Sequence, residues 1–146
     1  GDILTPENRE KYKQLKIMDI TQWLKEVVLP RIKVIRPKNR ILLHPTCSCQ
    51  IMGLTPVLLD IARKCAREVI LPDNWGCCGA SGDRGFIFPE LSDSATRDER
   101  DEIGHESFDG CYSLARTCEI AMQDHIEQPY ESIVYLVDET IQDQGT

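Results

Sequence analysis

The hydrophobic positions along the chain follow two periodicities, which together predict the order of helices and strands. Between residues 5 and 30, apolar residues recur at spacings of three and four. This spacing predicts one or two amphipathic helices, with Thr5 as the cap and Pro6 at the first helical position. Short apolar runs closed by proline follow at residues 40–45 and 69–72, and each predicts a buried strand.

The same two patterns continue through the second half of the chain. Helical spacing predicts helices over residues 55–65, 94–103 and 115–127, and the second of these is polar enough to lie on the surface. A weaker strand is predicted around residues 108–113. The β-branched run at residues 132–137 predicts the clearest strand of all.

Strands that alternate with helices predict an α/β fold, because parallel strands are joined by helical crossovers. We expect a small parallel, Rossmann-like sheet of about four strands with helices on both faces. Residues 1–36 are predicted to be a helical lead-in or linker. Residues 37–146 are predicted to form one cysteine-rich domain.

Charge and hydropathy exclude two classes of partner. The net charge is −7, and the one basic stretch, at residues 31–40, is interpreted as a solvated loop. A nucleic acid is therefore not an expected partner. No apolar run approaches the length that spans a bilayer, so no transmembrane segment is expected.

Seven cysteines are many for a domain without a secretion signal, and the number is odd. In a reducing cytoplasm, clustered thiols are more often metal ligands or catalysts than disulfides. Each cysteine pair follows a predicted strand, and the carboxyl ends of parallel strands meet at one edge of a sheet, so we expect one crevice to collect them. In chain order the pairs are Cys47 with Cys49, Cys77 with Cys78, and Cys111 with Cys118.

The doubled cysteine lies between glycines, in the sequence Gly-Cys-Cys-Gly at residues 76–79. Neighbouring cysteines form a strained ring when they bond to each other, so Cys77 and Cys78 suit a multi-metal cluster better than a disulfide. Gly79 allows backbone N–H groups to approach sulfur closely. Cys118 falls in the first turn of a predicted helix, where the helix dipole is expected to lower the pKa of a thiol.

The spacing of these cysteines resembles that of the cysteine-rich CCG domain. Cys47, 29 intervening residues, the Cys-Cys-Gly triplet at residues 77–79 and a later cysteine segment carry the resemblance, which covers residues 41–141. This domain occurs in heterodisulfide reductases, in the iron–sulfur subunits of glycolate oxidases and in large D-lactate dehydrogenases that use FAD and iron–sulfur centres. The segments that look closest to the D-lactate dehydrogenase branch are residues 76–86, 116–120 and 134–139.

The resemblance implies an electron-transfer role. The domain would bind an iron–sulfur cluster of the 4Fe-4S type and receive electrons from FAD in another domain or subunit of the same enzyme. A 2-hydroxy acid such as D-lactate or glycolate would reduce the FAD, and a quinone, cytochrome or protein would accept the electrons. The implied location is cytoplasmic, peripheral to the inner membrane. The domain would carry electrons and would not catalyse alone.

The ligand set departs from the family pattern at one position. The full motif ends in Cys-x-x-Cys, and here Ala115 takes the first cysteine position while Cys118 takes the second. Four thiolates suffice for an ordinary cluster, with Cys111 or Cys49 as a replacement for a missing ligand. They also suffice for a structural zinc site, and a third alternative is a thiol redox catalyst of the heterodisulfide reductase kind. The four predicted ligands are Cys47, Cys77, Cys78 and Cys118.

Several other polar residues have both a functional and an ordinary interpretation. Arg84 and Arg116 flank the cysteine segments and would stabilise a reduced cluster, or would form ion pairs with Asp83 or Glu119. His44 could relay protons, but a histidine before a proline is more often a turn residue. Cys65 lies on an apolar helical stripe and is expected in the core. The acidic run of Asp98, Glu99, Asp101 and Glu102 predicts a solvated helix face.

Overall fold

The computed structural model describes residues 5–141. Its centre is a four-stranded, all-parallel sheet with strand order β2-β1-β3-β4. Helices cover both faces, so the predicted α/β class is confirmed. The strands are β1 (Lys38–Leu43), β2 (Ala66–Ile70), β3 (Gly110–Ser113) and β4 (Tyr130–Ser132).

Eight α-helices connect or flank these strands within the described residues. A π-helical segment (Leu24–Val28) and a short 3-10 helix (Leu29–Arg31) continue the second of them. The helices are α1 (Pro6–Lys13), α2 (Ile20–Trp23), α3 (Cys47–Ile51), α4 (Thr55–Cys65), α5 (Arg84–Ile87), α6 (Pro89–Ile103), α7 (Arg116–Ile126) and α8 (Ile133–Thr140).

The predicted helical lead-in is broken into pieces. Thr5 caps α1 as expected, because its hydroxyl accepts a hydrogen bond from the Asn8 N–H at 3.2 Å. A second cap follows at Asp19, where α2 begins. Residues 1–4 of the lead-in and residues 142–146 of the predicted domain lie outside the described residues.

The two faces of the sheet carry separate cores. Because side chains alternate along a strand, Ile41 and Leu43 of β1 pack on the face covered by α4 and α8. Leu42 points to the other face, where it packs with residues of α6 and α7. The cysteines divide between these faces, and this division decides which of them can share a site.

The segment predicted as the clearest strand is mostly a helix, and that prediction was wrong. β4 ends at Ser132, whose hydroxyl accepts a hydrogen bond from the Val134 N–H and caps α8. The β-branched residues favoured a strand, but the segment also places apolar residues at helical spacing, and that spacing decides its packing. The buried residues of α8 are Ile133, Leu136, Val137 and Thr140.

Helix α6 differs from its prediction in length and in burial. It begins at Pro89 and runs for 15 residues, and it packs against α7. One stripe of it is buried although the sequence pattern predicted an exposed helix: Ser92, Thr96, Glu99 and Ile103. Across residues 5–141, no helix has both the length and the apolar character needed to cross a membrane.

Candidate metal centre

The carboxyl edge of the sheet gathers the cysteine segments from three strands. Helix α3 begins at Cys47, shortly after the end of β1. The Thr46 hydroxyl caps this helix by accepting a hydrogen bond from the Cys49 N–H. The loop after β2 carries Cys77 and Cys78, and α7 after β3 carries Cys118. Since all four strands are parallel, these segments leave the sheet on the same side.

The four predicted ligands line one cavity of about 210 Å³. Cys47 and Cys77 are exposed, whereas Cys78 and Cys118 form the buried part of its wall. The structure therefore brings together the thiols that the motif grouped. The full lining is Thr46, Cys47, Ser48, Cys77, Cys78, Ala80, Ser81, Gly82, Ala115, Thr117 and Cys118.

The two buried thiols are in direct contact. A hydrogen bond joins the sulfur atoms of Cys78 and Cys118 at 2.9 Å, well beyond the ~2.05 Å of a disulfide. This bond, and then the Ala80 N–H, hold the pKa of Cys78 below its ordinary value, and burial acts in the opposite direction. The surroundings therefore favour the thiolate form at Cys78, and the two sulfurs share the proton of their hydrogen bond.

The helix-dipole prediction for Cys118 does not hold in this arrangement. Its pKa is raised, first by the shared hydrogen bond with Cys78 and then by burial. Two anionic sulfurs at 2.9 Å would repel strongly, so one proton stays between them. The dipole of α7 is too small to overcome a neighbouring thiolate.

Glycine at position 79 is required by the backbone and by its neighbours. Gly79 has φ +74°, a conformation that other residues rarely adopt, and an added Cβ would lie 2.6 Å from the Leu91 oxygen. Its N–H donates to the Cys77 sulfur at 3.4 Å. The expected approach of a backbone donor to sulfur is present.

Cys111 does not reach the cavity. It lies within β3, its sulfur is 3.9 Å from the Gln128 side-chain oxygen, and burial raises its pKa to about 12. Cys49 and Cys65 are also buried, in the core on the opposite face. The expectation that Cys65 is a core residue is confirmed, and neither Cys111 nor Cys49 lines the cavity as a replacement ligand.

The two arginines proposed to balance cluster charge lie outside the cavity lining. Arg84 is exposed at the start of α5. Arg116 is also exposed and pairs with the Glu119 carboxylate at 3.1 Å, which is the ordinary ion-pair interpretation. Of the predicted cofactor-binding residues, Gly79 is the one with a direct contact to a cysteine sulfur.

The sequence misjudged Glu99 and left His44 open between a proton relay and a turn residue. Glu99 is 2% exposed and is therefore not part of the solvated face that was predicted for helix α6. The other three carboxylates of that prediction, Asp98, Asp101 and Glu102, are not buried. His44 is fully buried after β1, and its Nδ1 lies 3.2 Å from a Glu99 oxygen. The small residues one and two turns before Glu99 were a signal that this side of α6 packs against the domain.

The donor set has the chemistry of a soft metal site. Thiolates are the ligands selected by zinc and by iron–sulfur clusters. Within residues 5–141, no group of three or more histidine, cysteine, aspartate or glutamate side chains is arranged to hold a metal ion. The four thiols instead line one cavity, and two of them, Cys78 and Cys118, are in contact with each other.

No protein-family model matches the chain, and no curated protein sequence is similar to it. The geometry of the cavity is therefore the basis for a proposal about function.

Proposed function

We propose that this chain is an iron–sulfur electron-transfer domain of a FAD-dependent oxidoreductase that acts on a 2-hydroxy acid. One observation carries the proposal: Cys47, Cys77, Cys78 and Cys118 come from three segments that follow different strands, and they line a single cavity. Cysteines that serve only packing have no reason to gather at the carboxyl edge of a parallel sheet, where such folds place their sites.

The residues around the cavity suit an anionic cluster. The cluster would be held by the four thiolates and would supply one-electron redox chemistry. The N–H groups of Gly79 and Ala80 already point at cysteine sulfurs, and donors to sulfur favour the reduced state of such a centre. The hydrogen bonds to Cys78 favour its thiolate form, which is the form that binds metal.

The structure also bears on the one position at which the chain differs from the family's cysteine motif. Ala115, which takes the place of the first cysteine in the family's Cys-x-x-Cys motif, lines the same cavity as Cys118. The cavity therefore offers four cysteine ligands, and an alanine stands where the family has a fifth. We propose a cluster of the 4Fe-4S type, and structural zinc is the alternative occupant.

The flavin, the acid substrate and the acceptor enter through the resemblance. FAD would lie in another domain or subunit of the same enzyme, since the glycine-rich loop here lacks the G-x-G-x-x-G arrangement. A quinone, cytochrome or protein would accept the electrons. We propose a cytoplasmic site of action, beside the inner membrane where the acceptor is a quinone.

Anaerobic purification followed by reconstitution with ferrous iron and sulfide tests this proposal. We expect about four irons and four sulfides per chain, a brown visible spectrum and bleaching by dithionite. One zinc per chain with neither iron nor sulfide would overturn the proposal in favour of a scaffold. The measurement combines metal and sulfide analysis with a visible spectrum of the same sample.

A second function is favoured by the 2.9 Å contact between the Cys78 and Cys118 sulfurs. In a thiol-redox catalyst, the Cys78 thiolate would attack a substrate disulfide and release one thiol. Cys118 would then displace the second thiol and leave a Cys78–Cys118 disulfide, so that the substrate is reduced and the protein oxidised. Release of both substrate thiols by metal-free protein, and its loss in Cys118→Ser, would favour this function over electron transfer.

A further inference from the structure

A buried histidine–carboxylate pair lies beneath the cysteine cavity. His44 is 0% exposed and Glu99 2% exposed, and both Glu99 oxygens lie within 3.3 Å of the imidazole Nδ1. Taking such a pair out of water costs about as much as its attraction returns, so a buried pair is weak ground for a stabilising role. Its position indicates a functional one.

The pair lies on the same face of the sheet as the buried thiols. The backbone N–H of His44 donates a hydrogen bond to the backbone carbonyl oxygen of Tyr112 at 2.9 Å, so the extended backbone of β1 continues to this residue. Side chains alternate along a strand, and Leu42, two residues earlier, packs in one cluster with Cys78 and Cys118. His44 therefore points to the cysteine side, and in its protonated form its charge acts to lower the pKa of Cys78.

The hydrogen bonds leave one ring nitrogen available. With Nδ1 donating to Glu99, the Nε2 atom is an acceptor, and it has no hydrogen-bond partner among residues 5–141. The nearest aromatic neighbour is Tyr130, whose ring stands edge-on at 6.4 Å. Burial and then the negative charge of Glu99 raise the pKa of Tyr130, so its hydroxyl remains protonated.

The protonation states around the pair follow from these contacts. The titratable groups on this side are Glu99 on α6, Tyr130 on β4, Cys111 on β3, Cys78 in the loop and Cys118 on α7. Cys111 stays a thiol because burial raises its pKa. A carboxylate with a neutral imidazole has net charge −1, and one proton at Nε2 would neutralise it.

We propose that the His44–Glu99 pair is the proton-binding group of the cysteine cavity, taking up one proton at Nε2 when negative charge is added there and releasing it when that charge leaves. The step forms one N–H bond, and solvent supplies the proton. Where the added charge is an electron, the inference rests on the proposed function, and the electron comes from the reduced flavin. His44 acts on the cavity through the charge of its bound proton and is neither a ligand nor a catalytic residue.

The coupling can be tested in the full, metal-free chain. The cavity thiols, among them the exposed Cys47 and Cys77, are alkylated with iodoacetate, which adds a carboxylate, or with iodoacetamide, which adds a neutral group of similar size. We expect the proton affinity of His44 to be about tenfold higher in the carboxylate form than in the neutral form. A ¹⁵N NMR titration of the imidazole measures this difference. His105, which is exposed beyond α6, is the internal control and should titrate alike in both forms.

Identical His44 titrations in the two alkylated forms would overturn the inference. This comparison uses the unmutated fold, so it does not depend on the stability of a variant. It also gives a result when no cluster can be loaded, and it thereby separates failure of this inference from failure of the proposed function.

A second measurement uses the reconstituted protein. If a proton accompanies the electron, the midpoint potential falls as the pH rises, by up to about 59 mV per pH unit. This slope is the one-electron equivalent of a tenfold change in equilibrium constant. Glu99→Gln should flatten this dependence, and His105→Gln should retain it. A wild-type potential independent of pH would overturn the inference for electron uptake.

Discussion

Cysteines on the two faces of the sheet are buried to the same extent, and one of them, Cys78, differs in its pKa from the core thiols of the other face. Cys49 and Cys65, on the face covered by α4 and α8, are 2% and 0% exposed, and Cys78 on the other face is 4% exposed. Burial raises the pKa of the first two thiols, whereas hydrogen bonds lower that of Cys78. At Cys78 the hydrogen bonds outweigh burial, whereas at Cys49 and Cys65 burial is the larger effect.

The polar residues follow the same division. The face that carries Cys78 and Cys118 also holds the His44–Glu99 pair, while Ile41 and Leu43 fill the opposite face with aliphatic side chains. The sheet thus separates a packing side from a side that handles charge. Three substitution experiments test this separation.

The largest expected effect is on cluster loading. Cys78→Ser should lower the iron and sulfide bound after reconstitution by at least about tenfold, because a hydroxyl is a poor ligand for this centre. The matched change on the other face, Cys65→Ser, should leave loading unchanged. It should instead lower the free energy of unfolding by about 1–3 kcal/mol, since a hydroxyl replaces a thiol in an apolar core.

Metal analysis and urea unfolding of both variants measure these outcomes. Equal loading in the two variants would show that the faces do not differ in the way we describe. Loss of loading in Cys65→Ser alone would show that the ligand assignment is wrong.

An intermediate effect is expected at the glycine that shapes the cysteine loop. Gly79→Ala should lower the free energy of unfolding by about 1–3 kcal/mol from backbone strain at φ +74°, and the overlap with Leu91 adds to this. Gly76→Ala is the control, because nothing lies within 4 Å of its added Cβ. Thermal or urea unfolding compares them, and equal losses would contradict the steric argument.

A third glycine separates strain from overlap. Gly53, which precedes α4, has φ +68° with nothing within 4 Å of an added Cβ. Gly53→Ala should therefore show the strain alone and fall between the other two variants. A loss as large as that of Gly79→Ala would assign the whole effect to the backbone conformation.

The smallest effect is confined to one titration. In metal-free protein, Cys118→Ala should raise the pKa of Cys78, because it removes the main hydrogen bond that stabilises the thiolate. Thiolate absorbance followed against pH measures this, with Cys78→Ser as the blank. Cys111→Ala should leave the titration in place, and an unchanged curve in Cys118→Ala would contradict the assigned thiolate.

The sequence by itself determined the α/β class and the grouping of cysteines. Proline-closed apolar runs identified β1 and β2, and strand-end placement predicted that Cys47, Cys77 and Cys78 meet at one edge. These inferences succeed because strand polarity in a parallel sheet follows from connectivity, and connectivity is readable from the order of elements.

The tertiary structure decided what local patterns leave open. The run after Ser132 has β-branched residues and helical spacing together, and packing against the sheet resolved it as α8. Glu99 stands among exposed carboxylates, and its burial against His44, 55 positions away, depends on how α6 lies on the sheet. The charge state of Cys78 likewise depends on Cys118, because hydrogen bonds between distant segments exist only once the chain has folded.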